Sequence, residues 1–201
     1  MWSFARAGDG PFRADIRHFN GRRWSKVRAP GFFDQVSARS SKDIWATGWI
    51  NGTKGPIASV FRWNGKSWKR QAATLGSNGQ FNDILAKGSR DVWSVGSRSN
   101  ASVLLHWNGK TWKKVSTPSV RGGLTGLVDD GAGGFWAQGR GKFYHYRAGR
   151  WATKTFPSRK PFTTVVSALA RVPKTTSIWA VGALEDRRQV NAADVILKYG
   201  K

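Results

Sequence analysis

Apolar and polar positions alternate along this chain in short runs, four to each unit of about 43–48 residues. Val, Ile, Phe, Trp and Tyr fill the runs, and Gly, Asn, Ser and Pro separate them. No stretch holds a 3.6-residue apolar period long enough for a helix. Short β-rich runs between turn residues predict an all-β chain. Four segments repeat closely: DIWATG (43–48), DVWSVG (91–96), GFWAQG (134–139) and SIWAVG (177–182), with MWSFARAG at the start as a weaker copy. Their tryptophans are Trp2, Trp45, Trp93, Trp136 and Trp179, spaced 43, 48, 43 and 43 residues apart. A second motif follows each: HFNGRRW (18–24), RWNGKSW (62–68), HWNGKTW (106–112), HYRAGRW (145–151) and KYGK (198–201). A third precedes the later tryptophans: FFDQVSA (32–38), FNDILAK (81–87), GLTGLVD (123–129) and VVSALAR (165–171).

Four strands per repeated unit of this length predict the blades of a β-propeller. Strand a is the FNDILAK type, b the DVWSVG type, c LLHW and d TWKKV. The Asn-Gly pairs at 20–21, 64–65 and 108–109 predict type I′ hairpins joining c to d, because both central residues of that turn need positive φ. The units run approximately 1–31, 32–79, 80–122, 123–163 and 164–201, as one propeller domain of about five blades. Strands b and c occur five times, a and d four times. The first blade therefore lacks strand a and the last lacks strand d. The two remnants do not add up to one whole blade. Two arrangements stay open: a piece cut from a longer propeller, or a ring closed imperfectly, with or without a partner chain.

Trp63-Asn64-Gly65-Lys66-Ser67-Trp68 and Trp107-Asn108-Gly109-Lys110-Thr111-Trp112 resemble a degenerate Asp-box hairpin. Together with Asp91-Val92-Trp93-Ser94-Val95-Gly96 they are similar to bacterial propellers with "DVWAVG…WNGxxW" repeats, loosely kin to kelch-like propellers. The resemblance implies the fold and an extracellular or cell-surface setting. It implies no activity, since propellers host lectins, scaffolds, lyases and hydrolases alike. The Asp-box aspartate is replaced by Asn20, Asn64 and Asn108, and no catalytic residue carries over. The N-terminus lacks the charged start and apolar run of a signal peptide.

Composition adds charge. Against 34 Lys plus Arg stand 11 Asp plus Glu, a formal net charge of +23. The 12 Trp, 11 Phe and 3 Tyr argue for a folded basic protein rather than a disordered one. There is no cysteine, which excludes disulfides and thiolate metal sites. No apolar run is long enough to form a membrane span.

The residue after each turn glycine is basic: Arg22, Lys66, Lys110, Arg150 and Lys201. Lys69 and Lys113 follow closely. In a radial arrangement these hairpins would present a circle of positive charge, which makes them candidates for binding a polyanion: nucleic acid, an acidic polymer or an acidic protein surface. The residue before each strand-c aromatic is basic too (His18, Arg62, His106, His145, Lys198), and a solvated strand edge or cation–π packing on a neighbouring indole accounts for it better than a basic ring.

Eleven of the twelve tryptophans occupy repeat positions and read as packing between blades; Trp49 does not, and is the candidate for an exposed stacking residue. The b–c connections (48–59, 96–103, 138–142, 182–195) read as loops of variable length, where recognition concentrates. Asp43 and Asp91 read as caps of the a–b turn. No nucleophile–base pair, phosphate loop or HExxH motif is present. The sequence thus points to a non-catalytic basic binding scaffold without metal or cofactor. A lectin-like propeller and a structural propeller completed by self-association are the alternatives.

Overall fold

The computed structural model describes residues 1–7, 13–76, 78–158, 160–186 and 191–200. Within them are eighteen strands in five antiparallel sheets, each a meander in chain order. The first holds β1 (Trp2–Ala7), β2 (Arg13–Phe19) and β3 (Trp24–Val27). The second holds β4 (Phe32–Ser40), β5 (Asp43–Gly52), β6 (Gly55–Trp63) and β7 (Trp68–Gly76). The third holds β8 (Gly79–Gly88), β9 (Asp91–Arg98), β10 (Ala101–Trp107) and β11 (Trp112–Val115). The fourth holds β12 (Thr125–Asp129), β13 (Phe135–Gly139), β14 (Lys142–Arg147) and β15 (Arg150–Thr155). The fifth holds β16 (Thr163–Arg171), β17 (Ile178–Glu185) and β18 (Asn191–Tyr199). The order is b-c-d, then three times a-b-c-d, then a-b-c. The first sheet lacks strand a and the last lacks strand d, as the repeats predict.

The chain divides into two compact units, Met1–Ser99 with Val103–Val115, and Asn100–Ser102 with Ser116–Lys201. In the first unit, Trp45, Val60, Phe81, Ile84, Val92 and Val103 form one buried cluster. Ile44, Ala46, Phe61, Trp63 and Trp68 form another, with Trp2 and Phe4 packed against it. In the second unit, Trp136, Phe143, Phe156, Val166, Ile178 and Ala180 make the core, supported by Leu197 and Tyr199. Each cluster joins two consecutive sheets. The central strands β5 and β9 are covered on both faces, so their apolar runs are continuous. Edge strand β7 is covered on one face and alternates, with Trp68, Ala73 and Leu75 buried and Lys69 and Arg70 exposed.

The glycine that closes the Trp-x-x-Gly motif has a packing cause. Strand a carries a register shift opposite it, at Phe33/Gln35, Phe81/Asp83 and Val166/Ala168. The bulge pushes the backbone of strand a against strand b. A Cβ added at Gly48, Gly96 or Gly182 would clash with the carbonyl oxygens of Phe32, Gln80 or Val165.

The c–d turns differ from the expected type I′. Trp63 pairs with Trp68, and the Asn64 amide donates to the Ser67 carbonyl, so the two central residues are Gly65 and Lys66. Only the glycine has positive φ there (94°), as do Gly21 (101°) and Gly109 (97°) in the equivalent turns. The asparagine stands one place earlier and works through its side chain. Asn64 Oδ1 accepts from the Lys66 and Ser67 amides at 3.0 and 3.0 Å. Asn20 and Asn108 do the same for residues 22–23 and 110–111. Positive φ at both central residues, which type I′ requires, occurs where Asn-Gly is absent. Ala148 and Gly149 show it (49° and 77°), as do the b–c tips Ser99-Asn100 and Arg140-Gly141.

The b–c connections are also shorter than the sequence implies. Gly52 pairs with Gly55, so 48–59 is an extended hairpin with a two-residue tip rather than a loop. Alternating Trp49, Asn51, Ile57 and Ala58 simply prolong the ladder. The connections at 96–103 and 138–142 likewise have two-residue tips. The fourth, 182–195, includes residues 187–190, which lie outside the described residues.

Candidate functional site

Strands b and c place an indole and a basic side chain together in each of three sheets, and a carboxylate joins them from the start of strand b in two and from the a–b turn in the third. In the third sheet His106 stacks on Trp93 at 4.0 Å and 17°, and its Nε2 lies 2.9 Å from Asp91 Oδ1. Trp93 Nε1 donates to the same oxygen at 2.6 Å. In the second sheet the Arg62 guanidinium lies over Trp45 at 4.8 Å and donates to Asp43 at 3.0 Å, with Arg39 on the other carboxylate oxygen at 2.9 Å. In the fourth sheet His145 stacks on Trp136 at 4.1 Å and 11°, and sits 2.8 Å from Asp130 Oδ2. His18 lies over Trp2 at 4.4 Å in the first. Four of the five basic strand-c positions, His18, Arg62, His106 and His145, therefore pack on an indole.

The aspartates depart from the cap role expected of them. Asp43 and Asp91 bind side chains, because the strand-c cation lies opposite and within reach. The fourth sheet has Gly134 where the others have this aspartate, and Asp130 fills the gap from the preceding turn. Its side chain is fully buried, and it accepts from Arg147 as well as His145. It also caps the turn, taking the Ala132 and Gly134 amides at 2.7 and 2.8 Å. Burial alone would raise the Asp130 carboxyl, but hydrogen bonds from His145, the Ala132 amide, Arg147 and the Gly134 amide outweigh it and hold the group far below the usual carboxylate range. The sequence signal for Asp130 was only its adjacency to the repeat.

The predicted cations lie on separate elements. Arg22, Lys66, Lys110 and Arg150 are exposed, each at or beside the tip of its own c–d hairpin. The turn amides of Arg22, Lys66 and Lys110 are spent on Asn20, Asn64 and Asn108, which leaves only the side-chain charge exposed in those three hairpins. Lys69 and Lys113 are exposed on edge strands β7 and β11. Lys201 lies outside the described residues.

The same blade end holds cations the motifs did not flag. Trp63 Nε1 donates to the Ser41 carbonyl and Trp107 Nε1 to that of Ser89, tying each c–d hairpin to the a–b turn of its sheet. The turn glycines Gly65 and Gly109 lie against the Lys42 and Arg90 side chains.

At the other blade end is an open concavity of about 1060 Å³ in the first unit. Lys26, Arg28 and Arg70 line it with Pro30, Phe32 and Asn51, and among the described residues no carboxylate lines it. Arg70 is oriented by its Nε bond to Ser59 Oγ at 3.1 Å. The second unit has a similar concavity of about 550 Å³, bearing Arg121 and Arg140, again with no carboxylate in its lining. Both are built from a d–a connection and a b–c tip. Trp49 is half-buried rather than exposed, because Phe32 stands opposite it in the ladder and stacks on it at 4.1 Å and 17°. It borders a smaller pocket of about 290 Å³ with Asp34, Gln80 and Phe81.

Solved structures share this arrangement of sheets. YCF48 from Cyanidioschyzon merolae superimposes with a TM-score of 0.57 at 14% identity, over 92% of this chain and 65% of that one. The fold is a β-propeller. YCF48 bound to D1 peptide gives 0.55 at 16% identity, over 87% of this chain and 58% of that one. A Bacteroides thetaiotaomicron protein of unknown function gives 0.54 at 15%, over 90% and 49%. The chain thus spans about half to two thirds of the length of these propellers. A luciferin-regenerating enzyme also matches, with a TM-score of 0.51 at 11% identity. No protein-family profile and no curated protein sequence matches the chain. Among the described residues no helix is long and apolar enough to cross a membrane.

Proposed function

We propose that the chain is a non-catalytic binding scaffold for a polyanionic partner, whether nucleic acid, an acidic polymer or an acidic protein surface. The observation that carries this reading is the open groove with Lys26, Arg28 and Arg70 and no carboxylate in its lining, set in a chain of net charge +23. Mere solubility would be met by mixed charges. An anion laid in this groove displaces counterions from three convergent cations and meets no local repulsion. The hairpin cations Arg22, Lys66, Lys110 and Arg150 add a field that steers the partner in from a distance. That one structural neighbour is a propeller bound to a peptide keeps a protein surface within this class.

The test is a salt series with single-stranded DNA and with heparin as probes. Affinity should fall linearly with salt on logarithmic axes. The variant Lys26→Gln/Arg28→Gln/Arg70→Gln should bind DNA more weakly, with the slope reduced by about 2–3, since each lost phosphate contact removes about 0.7–0.9. No binding at low salt, or binding indifferent to salt, would overturn the reading.

A lectin-like reading has one observation of its own, the pocket that Trp49 shares with Asp34 and Gln80. It predicts neutral-sugar binding that is insensitive to salt and quenches tryptophan fluorescence.

A further inference from the structure

Within each unit, consecutive blades are joined by a recurring interlock. The strand-b tryptophan of one blade is received by the aromatic c–d hairpin of the next. Trp2 meets Trp63 and Trp68 edge-on, at 4.9 and 5.9 Å. Trp45 meets Trp107 and Trp112, each at 5.7 Å. Trp136 meets Tyr199 at 5.1 Å, nearly perpendicular. Such T-shaped aromatic pairs add to the apolar area they bury.

Among the described residues, two halves of this interlock have no counterpart within their own unit. In the fifth sheet Trp179 is 42% exposed, and its ladder neighbours Val181 and Ile196 are 44% and 70% exposed. The register makes them the equivalents of Trp45, Thr47 and Val60, since Trp179 pairs with Lys198 and Val181 with Ile196 as Trp45 pairs with Arg62 and Thr47 with Val60. Those three residues of the second blade are 0% exposed. Val165 on β16 extends the bare face. At the first blade the converse holds. Trp24 is 45% exposed and packs with Phe19 at 5.4 Å, whereas its equivalent Trp68 is 5% exposed. Within its own unit, the fifth blade offers a tryptophan with no hairpin over it, and the first offers a hairpin with no tryptophan under it.

We infer that the outer face of the fifth blade, Trp179, Val181, Ile196 and Val165, binds the Phe19–Trp24 hairpin of a second copy of this chain. The contact continues the interlock that already joins blades within each unit. Because it pairs two different surfaces it is head-to-tail, and generates closed rings or open series of copies. Asp194 shares the face, but Lys198 stands beside Trp179 and each copy carries +23, so like charge opposes the approach of Arg22 and Arg23. Salt therefore strengthens this association, the opposite of its effect on polyanion binding.

Sedimentation of the 201-residue chain across concentration and salt tests the inference. The mass should rise with concentration, and more steeply at high salt. Trp179→Ser and Trp24→Ser, both at exposed positions, should each weaken self-association about tenfold or more while circular dichroism stays that of the parent. Trp24→Ser keeps the bare face and Trp179→Ser keeps the hairpin, so mixing the two variants should restore dimers but nothing larger. A monomer at all concentrations, unaltered association of both variants, or no pairing in the mixture would overturn the inference.

Discussion

The second and fifth blades carry nearly the same strand-b motif, DIWATG against SIWAVG, yet the structure uses it differently. In β5 six consecutive residues from Asp43 are buried. In β17 burial alternates, with Ile178 and Ala180 covered and Trp179 and Val181 bare. Within each blade the ladders match, and so does the bulge against the motif glycine. What differs is whether a blade of the same unit packs on the strand-b tryptophan. A blade is therefore two kinds of structure at once: a sheet that its own sequence specifies, and a pair of faces whose state depends on neighbours.

Substitutions at matched positions can break this comparison. The largest effect is expected from Trp45→Ala, which empties a site with no solvent exposure and should cost about 3–5 kcal/mol in chemical denaturation. Trp179→Ala at the equivalent position should cost about 0.5 kcal/mol or less, as surface changes do. Equal costs would mean the fifth blade's outer face is covered in solution at the concentration used.

Next is Asp130→Asn in the fourth blade, expected to cost about 1–3 kcal/mol through disrupted bonds to His145, Arg147 and two amides. The sign of its pH dependence follows from the depressed carboxyl. Its contribution is complete above the unfolded carboxyl value of about 3.9 and is lost as pH falls below it, through the lower folded value. Stability of the parent should thus decline below about pH 4, and that of the variant should decline less.

Gly48→Ala and Gly182→Ala sharpen the comparison from the other side. Both add a methyl against strand-a backbone, so both should cost about 1–3 kcal/mol in spite of the different surroundings of the two blades. A mild Gly182 variant beside a severe Gly48 variant would show that the bulge itself depends on a neighbour.

The smallest effect is expected from Asn64→Ala. It frees two turn amides that are exposed and can turn to water, and should cost about 0.5–1.5 kcal/mol by thermal unfolding.

Periodicity made the five sheets, the strand order and the two missing strands legible, because alternation and turn residues act over a few positions. The glycine of Trp-x-x-Gly was visible as a repeat, but its cause lies in a bulge on another strand. Asn-Gly correctly marked the c–d hairpins. It misplaced the turn by one residue, since asparagine can hold a turn through its side chain as well as occupy its centre. The b–c connections looked like loops because Gly and Asn fall in them, while the ladder through Trp49 and Ala58 runs on. The role of Asp130 was not readable from the repeat, because its carboxylate enters the a–b turn four residues before the place that Asp43 and Asp91 occupy. The groove of Lys26, Arg28 and Arg70 joins residues from two blades, and no local pattern announces such a meeting. The hairpin cations were readable from the repeat.

The interlock of a strand-b tryptophan with the next hairpin connects sequence neighbours only. Within each unit the chain therefore behaves as a one-dimensional array, in which unfolding starts at a terminus and travels inward. Amide exchange should be slowest in β5 and β6, which have blades on both sides, and fastest in β18. The same rule governs how such a gene can lengthen. Duplicating one segment of 43 or 48 codons supplies a tryptophan for the blade after it and a hairpin for the blade before it, and leaves every other contact as it was.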